Sequence, residues 1–213
     1  MLRSFIFAVV GVSAAACAWA QQKTQPGTPR HFDIVASLPE PDVYVPLTQR
    51  ERFNHYVSTT YGPATLLAQP FQAAFTQATD VVPEWGHGAS GYGKQLGLTV
   101  LNLVAQNTIE YAASAAIGED NAYYRCKCTG FFPRAGHALI TPLTARNREG
   151  HKRFSFSRVL GAYGGGMLNV PVMPARYNYK GDGLRQGNYN YGLNFPIALF
   201  REFWPELSGR FHR

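Results

Sequence analysis

Residues Pro83 to Lys94, Pro-Glu-Trp-Gly-His-Gly-Ala-Ser-Gly-Tyr-Gly-Lys, hold the densest set of groups able to do chemistry. A histidine can act as a general base near neutral pH, and a neighbouring carboxylate can orient it. Glu84, His87, Ser90 and Lys94 therefore form a candidate catalytic set, with His87 as base and Ser90 as nucleophile of a hydrolase. The competing reading is a polar loop packed beneath aromatic side chains. Gly88-Ala89-Ser90-Gly91-Tyr92 lacks the last glycine of a nucleophile elbow.

The same residues give the spacing Gly86-x-Gly88-x-x-Gly91. A dinucleotide loop of that spacing follows an apolar strand, and Pro83-Glu84-Trp85 stands there instead. The expectation is a tight turn leading into a helix, with no nucleotide.

Cys126 and Cys128 lie two apart in Tyr-Arg-Cys-Lys-Cys-Thr. Three readings compete: a strained, readily reduced disulfide acting as a redox pair, half of a metal site, or two small buried thiols. A metal site needs about four ligands, and no second cysteine pair follows. The six histidines show no His-Glu-x-x-His spacing, so neither metal nor cofactor is expected. His137 and His151 are expected at the surface or at helix ends.

Positioning these groups falls to a mainly α-helical single domain with glycine-rich close helix packing, spanning residues 47–213. Thr48 and Glu51 make a capping box that starts a helix carrying Phe53, Tyr56 and Val57. Gly62-Pro63 ends it and opens a second helix, through Thr79, with Leu66, Leu67, Phe71, Ala74, Phe75 and Ala78 on one face. Pro70 is placed to kink it. A long helix is predicted from Tyr92 to Ile117, with Gly118 as its stop. Its apolar stripe is interrupted by Gln95, Asn102, Gln106, Asn107 and Glu110, so it is not a simple lipid-facing span. Ala112, Ala113, Ala115 and Ala116 would let a neighbour approach closely.

A short helix is predicted from about Ala135 to Ile140, and Asn147 to Lys152 reads as a charged turn. Phe154 to Met173 fits either a helix or a bent strand, and Gly161 and Gly165 have the spacing of a close helix contact. The last segment favours a helix closed at Pro205. Residues 21–46, with five prolines, read as an extended Pro-rich tether.

Hydrophobic residues make up 46% of the 213-residue chain and charged residues 15%. That charged share is low for a water-exposed domain and points to a surface that meets a membrane or a partner. Residues 21–120 carry a net charge of −4 and residues 121–213 a net +10. The basic half suits anionic lipid, lipopolysaccharide or acidic glycan.

Arg3, the apolar run Phe5 to Ala16 and Ala18-Trp19-Ala20 have the layout of a secretory signal, residues 1–20, cut after Ala20. Ala14-Ala15-Ala16-Cys17 offers a rival, lipidated start at Cys17. Export to the periplasm or outer envelope removes nucleic acid from the expected partners.

Pro83-Glu84-Trp85-Gly86, Gly91-Tyr92-Gly93-Lys94 and Glu202-Phe203-Trp204-Pro205-Glu206 resemble the motifs of an uncharacterised family of exported bacterial proteins. The resemblance spans roughly residues 47–207, and Glu206 stands where that family has Asp. It implies export and a mostly helical domain, and brings no activity. The expected function is a non-enzymatic envelope protein, attached peripherally to an anionic membrane in a salt-sensitive way or bound to another envelope protein. The alternatives are a periplasmic hydrolase at Glu84 and His87, and a small outer-membrane barrel.

Overall fold

The computed structural model describes residues 35–211. The expected signal, Cys17 and the first part of the expected tether lie outside them. The described chain is mainly helical, which sets the barrel alternative aside, because a barrel closes through many paired strands. Its elements are β1 (Ser37–Pro39), α1 (Gln49–Tyr61), α2 (Pro63–Ala78), α3 (Ala89–Ile117), β2 (Tyr123–Arg125), α4 (Phe131–Ile140), β3 (Thr144–Arg146), β4 (Lys152–Phe154), α5 (Phe156–Asn169) and α6 (Leu184–Phe211).

Local signals start and stop several of these. The Thr48 hydroxyl accepts from the Glu51 amide, and the Glu51 carboxylate accepts from the Thr48 amide at 2.8 Å. Gly62 closes α1 and Pro63 opens α2, which continues through Pro70. Gly118 ends α3 in the left-handed conformation. Ser155 caps α5 through the Arg158 amide.

Four columns form the bundle. α1 and α2 run down beside α3, with Tyr56 bonded to Thr108 near the top and Tyr92 to the Pro70 carbonyl near the bottom. α5 descends antiparallel to α3, and α6 rises parallel to it. Glycine makes the α3–α5 seam close. A Cβ at Gly161 would stand 2.8 Å from the Gln106 carbonyl oxygen and from the Glu110 Cβ, and one at Gly165 3.0 Å from the Gln106 Cβ.

Apolar clusters cap the two ends. Leu38, Leu47, Ala122 and Tyr124 pack at the top, with Tyr44 against them. Val82, Leu98 and Tyr177 pack at the bottom with Trp85 and Met173. Between them the interior is polar: Gln95, Asn102, Asn169 and Asn190 are buried.

Several expectations are corrected. The tether is not free from residue 35 onward: β1 pairs in parallel with β2, and Val35, Ala36 and Leu38 are buried. Phe154 to Met173 resolves mostly into helix, and the helix expected near Ala135 already begins at Phe131. α6 runs through Pro196 and Pro205 instead of closing there. On α2 the apolar face points outward: Leu67 is 68% exposed and Phe71 77%, whereas Gln69, Ala73 and Thr76 face inward.

Candidate functional site

Glu84 sits in the 3-10 turn Pro83–Trp85 below α3, and His87 in the loop after it. The turn is as tight as its glycines suggested. Gly86 has a φ of +66°, and a Cβ at Gly91 would lie 2.2 Å from the Gly86 carbonyl oxygen. The expected pairing of Glu84 with His87 is not what forms. Arg176 takes the Glu84 carboxylate, and Tyr177 donates to it at 3.4 Å. His87 instead lies 3.1 Å from the Asp80 carboxylate. Ser90 and Lys94 are exposed on the first turns of α3. None of the four lines the central cleft described below.

Cys126 and Cys128 are joined as a disulfide with a Cα separation of 5.1 Å. The Cys126 amide donates to Glu202, which is fully buried on α6. Glu202 also accepts from the Tyr123 hydroxyl at 2.8 Å and from Arg134 Nε at 3.2 Å. Phe203 stacks on Phe131 at 5.3 Å, beneath the Arg134 guanidinium. The Glu-Phe-Trp-Pro motif thus fastens the end of α6 to β2 and α4. His137, in the last turn of α4, is half-buried with Nδ1 3.6 Å from Glu202; His151 is exposed.

Three ion pairs join the basic half of the sequence to the acidic half in space. Arg146 pairs with Glu40, Lys127 with Asp42 and Arg176 with Glu84. Exposed cations remain together on the β3–β4 hairpin, at Arg148, Lys152 and Arg153.

A cavity of about 300 Å³ lies between α1–α2 and α6 and is floored by α3. Arg52, Arg158, Arg201 and Glu110 line its upper end. Arg52 donates to the carbonyls of Ser114 and Glu119, and Arg158 to that of Asn121 at 2.8 Å. Glu119 in turn accepts from the amides of Phe156 and Ser157 at the start of α5, where a helix N-terminus favours negative charge. Arg158 Nε stands 3.7 Å from Glu110. Burial pushes the Glu110 carboxyl above its ordinary range, against the pull of Arg158 and Arg201. Burial and the positive field of Arg201, Arg158 and Arg52 push His55 down to about 3. The lower end is carboxamide-rich, with Gln69, Gln72, Asn102, Asn190 and Asn194.

Glu110 and Asn102 were visible in the sequence only as breaks in an apolar stripe. Arg52, His55, Arg158 and Arg201 carried no motif. Their one signal is position: each stands at or near the edge of a long segment otherwise free of Asp, Glu, Lys and Arg.

Among the described residues no group of three or more His, Cys, Asp or Glu could hold a metal ion. No family model, curated protein or solved structure matches the chain.

Proposed function

We propose that this is an exported, non-enzymatic cell-envelope protein whose helical bundle sits in membrane lipid. The observation that carries this reading is a belt around the bundle. No Asp, Glu, Lys or Arg occurs in residues 53–79, 95–109, 159–175 or 186–200. The hydrogen bonds between columns bring these segments to one level. Outward from the belt point Val57, Leu66, Leu67, Phe71, Phe75, Val100, Leu101, Leu160 and Tyr189, all exposed.

A protein partner covers one face, whereas this apolar surface appears on every column. The segment of α3 in the belt is about 15 residues, or about 22 Å at 1.5 Å each. That approaches the roughly 25 Å apolar band of outer-membrane proteins. Close packing through small residues and polar groups turned inward are how helices associate in lipid. No described helix is by itself long and apolar enough to cross a membrane; the belt is a property of the assembled bundle, because each helix gives its polar side to the interior. The exposed Arg148, Lys152 and Arg153 lie beyond the belt's upper edge, where anionic headgroups would meet them. Since apolar burial is the main term here, salt should release the protein poorly, unlike the peripheral attachment first expected from charge.

Vesicle flotation tests this. The wild-type protein should float with anionic vesicles and stay with them through high salt and alkaline carbonate. Leu67→Asp with Phe71→Asp should lose that retention while keeping its helical circular dichroism. Release of the wild type by salt alone would overturn the embedded reading.

A further inference from the structure

Cys126 and Cys128 close a bridge across one intervening residue, Lys127, just after β2. As a staple such a bridge does little, because the stabilisation from a disulfide grows with the length of chain it encloses. The segment is also held without it. The Cys126 amide donates to the buried Glu202 carboxylate, and the Lys127 ammonium pairs with Asp42. A bridge with so small a structural task points to the chemistry of the sulfurs themselves, and that chemistry is independent of the lipid belt.

Both cysteines are partly exposed, and Lys127, Thr129 and Gly130 around them are exposed, so a thiol of another molecule can approach. The two sulfurs are not equivalent. The Cys128 amide donates to Cys126 Sγ at 3.1 Å. A hydrogen bond to the charged form of a group favours that form, so negative charge is easier to place on Cys126 than on Cys128. The sulfur that better bears charge leaves faster. Cys128 is therefore the sulfur attacked and Cys126 the one released.

We propose that the Cys126–Cys128 bridge is a thiol–disulfide exchange site that takes two electrons from the dithiol of a partner protein. A thiolate of the partner attacks Cys128 Sγ. A new S–S bond forms there as the Cys126–Cys128 bond breaks, and Cys126 leaves with the electron pair as a thiolate. The partner's second thiolate then attacks the partner sulfur of that mixed bridge and displaces Cys128. The partner departs as a disulfide, oxidised by two electrons. The two cysteines of this chain take up from solvent the two protons that the partner's thiols gave up. The contacts to Glu202 and Asp42 do not involve the sulfurs, so they keep the reduced thiols within the reach of a bridge, as the Cα separation of 5.1 Å requires. The exchange is thus reversible.

The full chain carrying Cys17→Ser retains only these two cysteines, so thiol counting reports on them alone. Glutathione serves as the probe, two reduced molecules supplying the same two electrons. In a glutathione buffer at the cytosolic poise, about half or more of the protein should be reduced at equilibrium, whereas a structural disulfide of an exported protein resists that pool. Acid quenching and a maleimide mass tag read the fraction. The inequality of the sulfurs has its own readout. Cys126 in Cys128→Ser should react with iodoacetamide at neutral pH at least about threefold faster than Cys128 in Cys126→Ser, because its thiolate is favoured. The serine keeps the backbone amide at position 128, so the hydrogen bond to Cys126 survives. A bridge that stays mostly oxidised in the glutathione buffer, or a Cys126 that reacts no faster than Cys128 in variants with wild-type helical circular dichroism, would overturn the proposal. If either variant fails to fold, the glutathione equilibrium decides alone.

Discussion

Asn102 and Asn190 face each other across the middle of the bundle, each carboxamide nitrogen 2.9 Å from the other's oxygen. Asn169 donates to the same Asn102 oxygen at 3.0 Å, and Asn190 donates also to the Ala162 carbonyl. One buried pair thus ties α3 to α6, and its two further bonds bring in α5.

Replacing one member should be costly. Asn190→Leu leaves the Asn102 amide and the Ala162 carbonyl without these bonds at a buried site. Each stranded polar group costs about 1–3 kcal/mol. Denaturant titration should place Asn190→Leu at least about 2 kcal/mol below wild type. A variant within 0.5 kcal/mol of wild type, on the ordinary scale of surface changes, would show the network to be dispensable.

The glycines of α3 and α5 should part company under the same substitution. Gly161→Ala drives a methyl into the α3 backbone at 2.8 Å and should lose about 1–3 kcal/mol to overpacking. Gly97→Ala meets nothing within 4 Å. It should be neutral or gain up to about 1 kcal/mol of helix propensity. Thermal melts of the two variants side by side make the comparison, and equal effects would contradict the close seam.

His55 should make the fold acid-sensitive. Its folded value of about 3 lies below the ordinary value of 6.5, so the unfolded chain binds the proton more readily. Stability from this group is full above about pH 6.5 and falls as pH drops toward 3, by up to about 1.4 kcal/mol per unit. Glu110, raised by burial, works in the opposite direction over the carboxylate range. The informative comparison is therefore wild type against His55→Gln in urea between pH 7 and pH 4. The wild-type slope should be the steeper, and identical slopes would remove His55 as the cause.

Glu202 should hold more stability than its exposed neighbours. Glu202→Ala strands the Tyr123 hydroxyl and the Cys126 amide, while Arg134 keeps Glu206 and the backbone carbonyl of residue 202; each stranded buried group costs about 1–3 kcal/mol. Burial first, and then Glu202, hold the Tyr123 hydroxyl above the ordinary phenol range. In the milder Glu202→Gln variant, absorbance at alkaline pH should show one tyrosine ionising earlier than in wild type. An unchanged titration would mean that Glu202 exerts no field on Tyr123.

The sequence announced what depends on neighbours along the chain. The Thr48–Glu51 box, the Gly62-Pro63 break, the Gly118 stop and the Gly161–Gly165 contact are all set within a few residues or by the absence of a Cβ. Distant pairings left no local mark. Ser37 meets Tyr123, and Arg52, Arg158 and Arg201 converge from three columns. The periodicity of α2 revealed an apolar face, but a period carries no sign: it cannot tell an inward face from an outward one. Pro205 misled because a proline is read as an end, whereas α6 continues through it.

The inversion of polarity between Gln69, inside, and Phe71, outside, has a consequence for how related chains should vary. In a water-borne globule the interior admits exchanges among Leu, Ile and Met while the exterior drifts freely among charges. In the lipid setting proposed above, the freedoms trade places. Positions such as Leu66, Leu67, Phe71 and Phe75 should exchange among large apolar residues with little selection for shape, and refuse charge. Asn102, Asn169 and Asn190 should resist even Asn→Asp, because an added charge leaves the carboxamide pairing unmade. Divergence would then concentrate on the outer faces as apolar-for-apolar drift, and identity would survive longest among the amides and glycines of the interior.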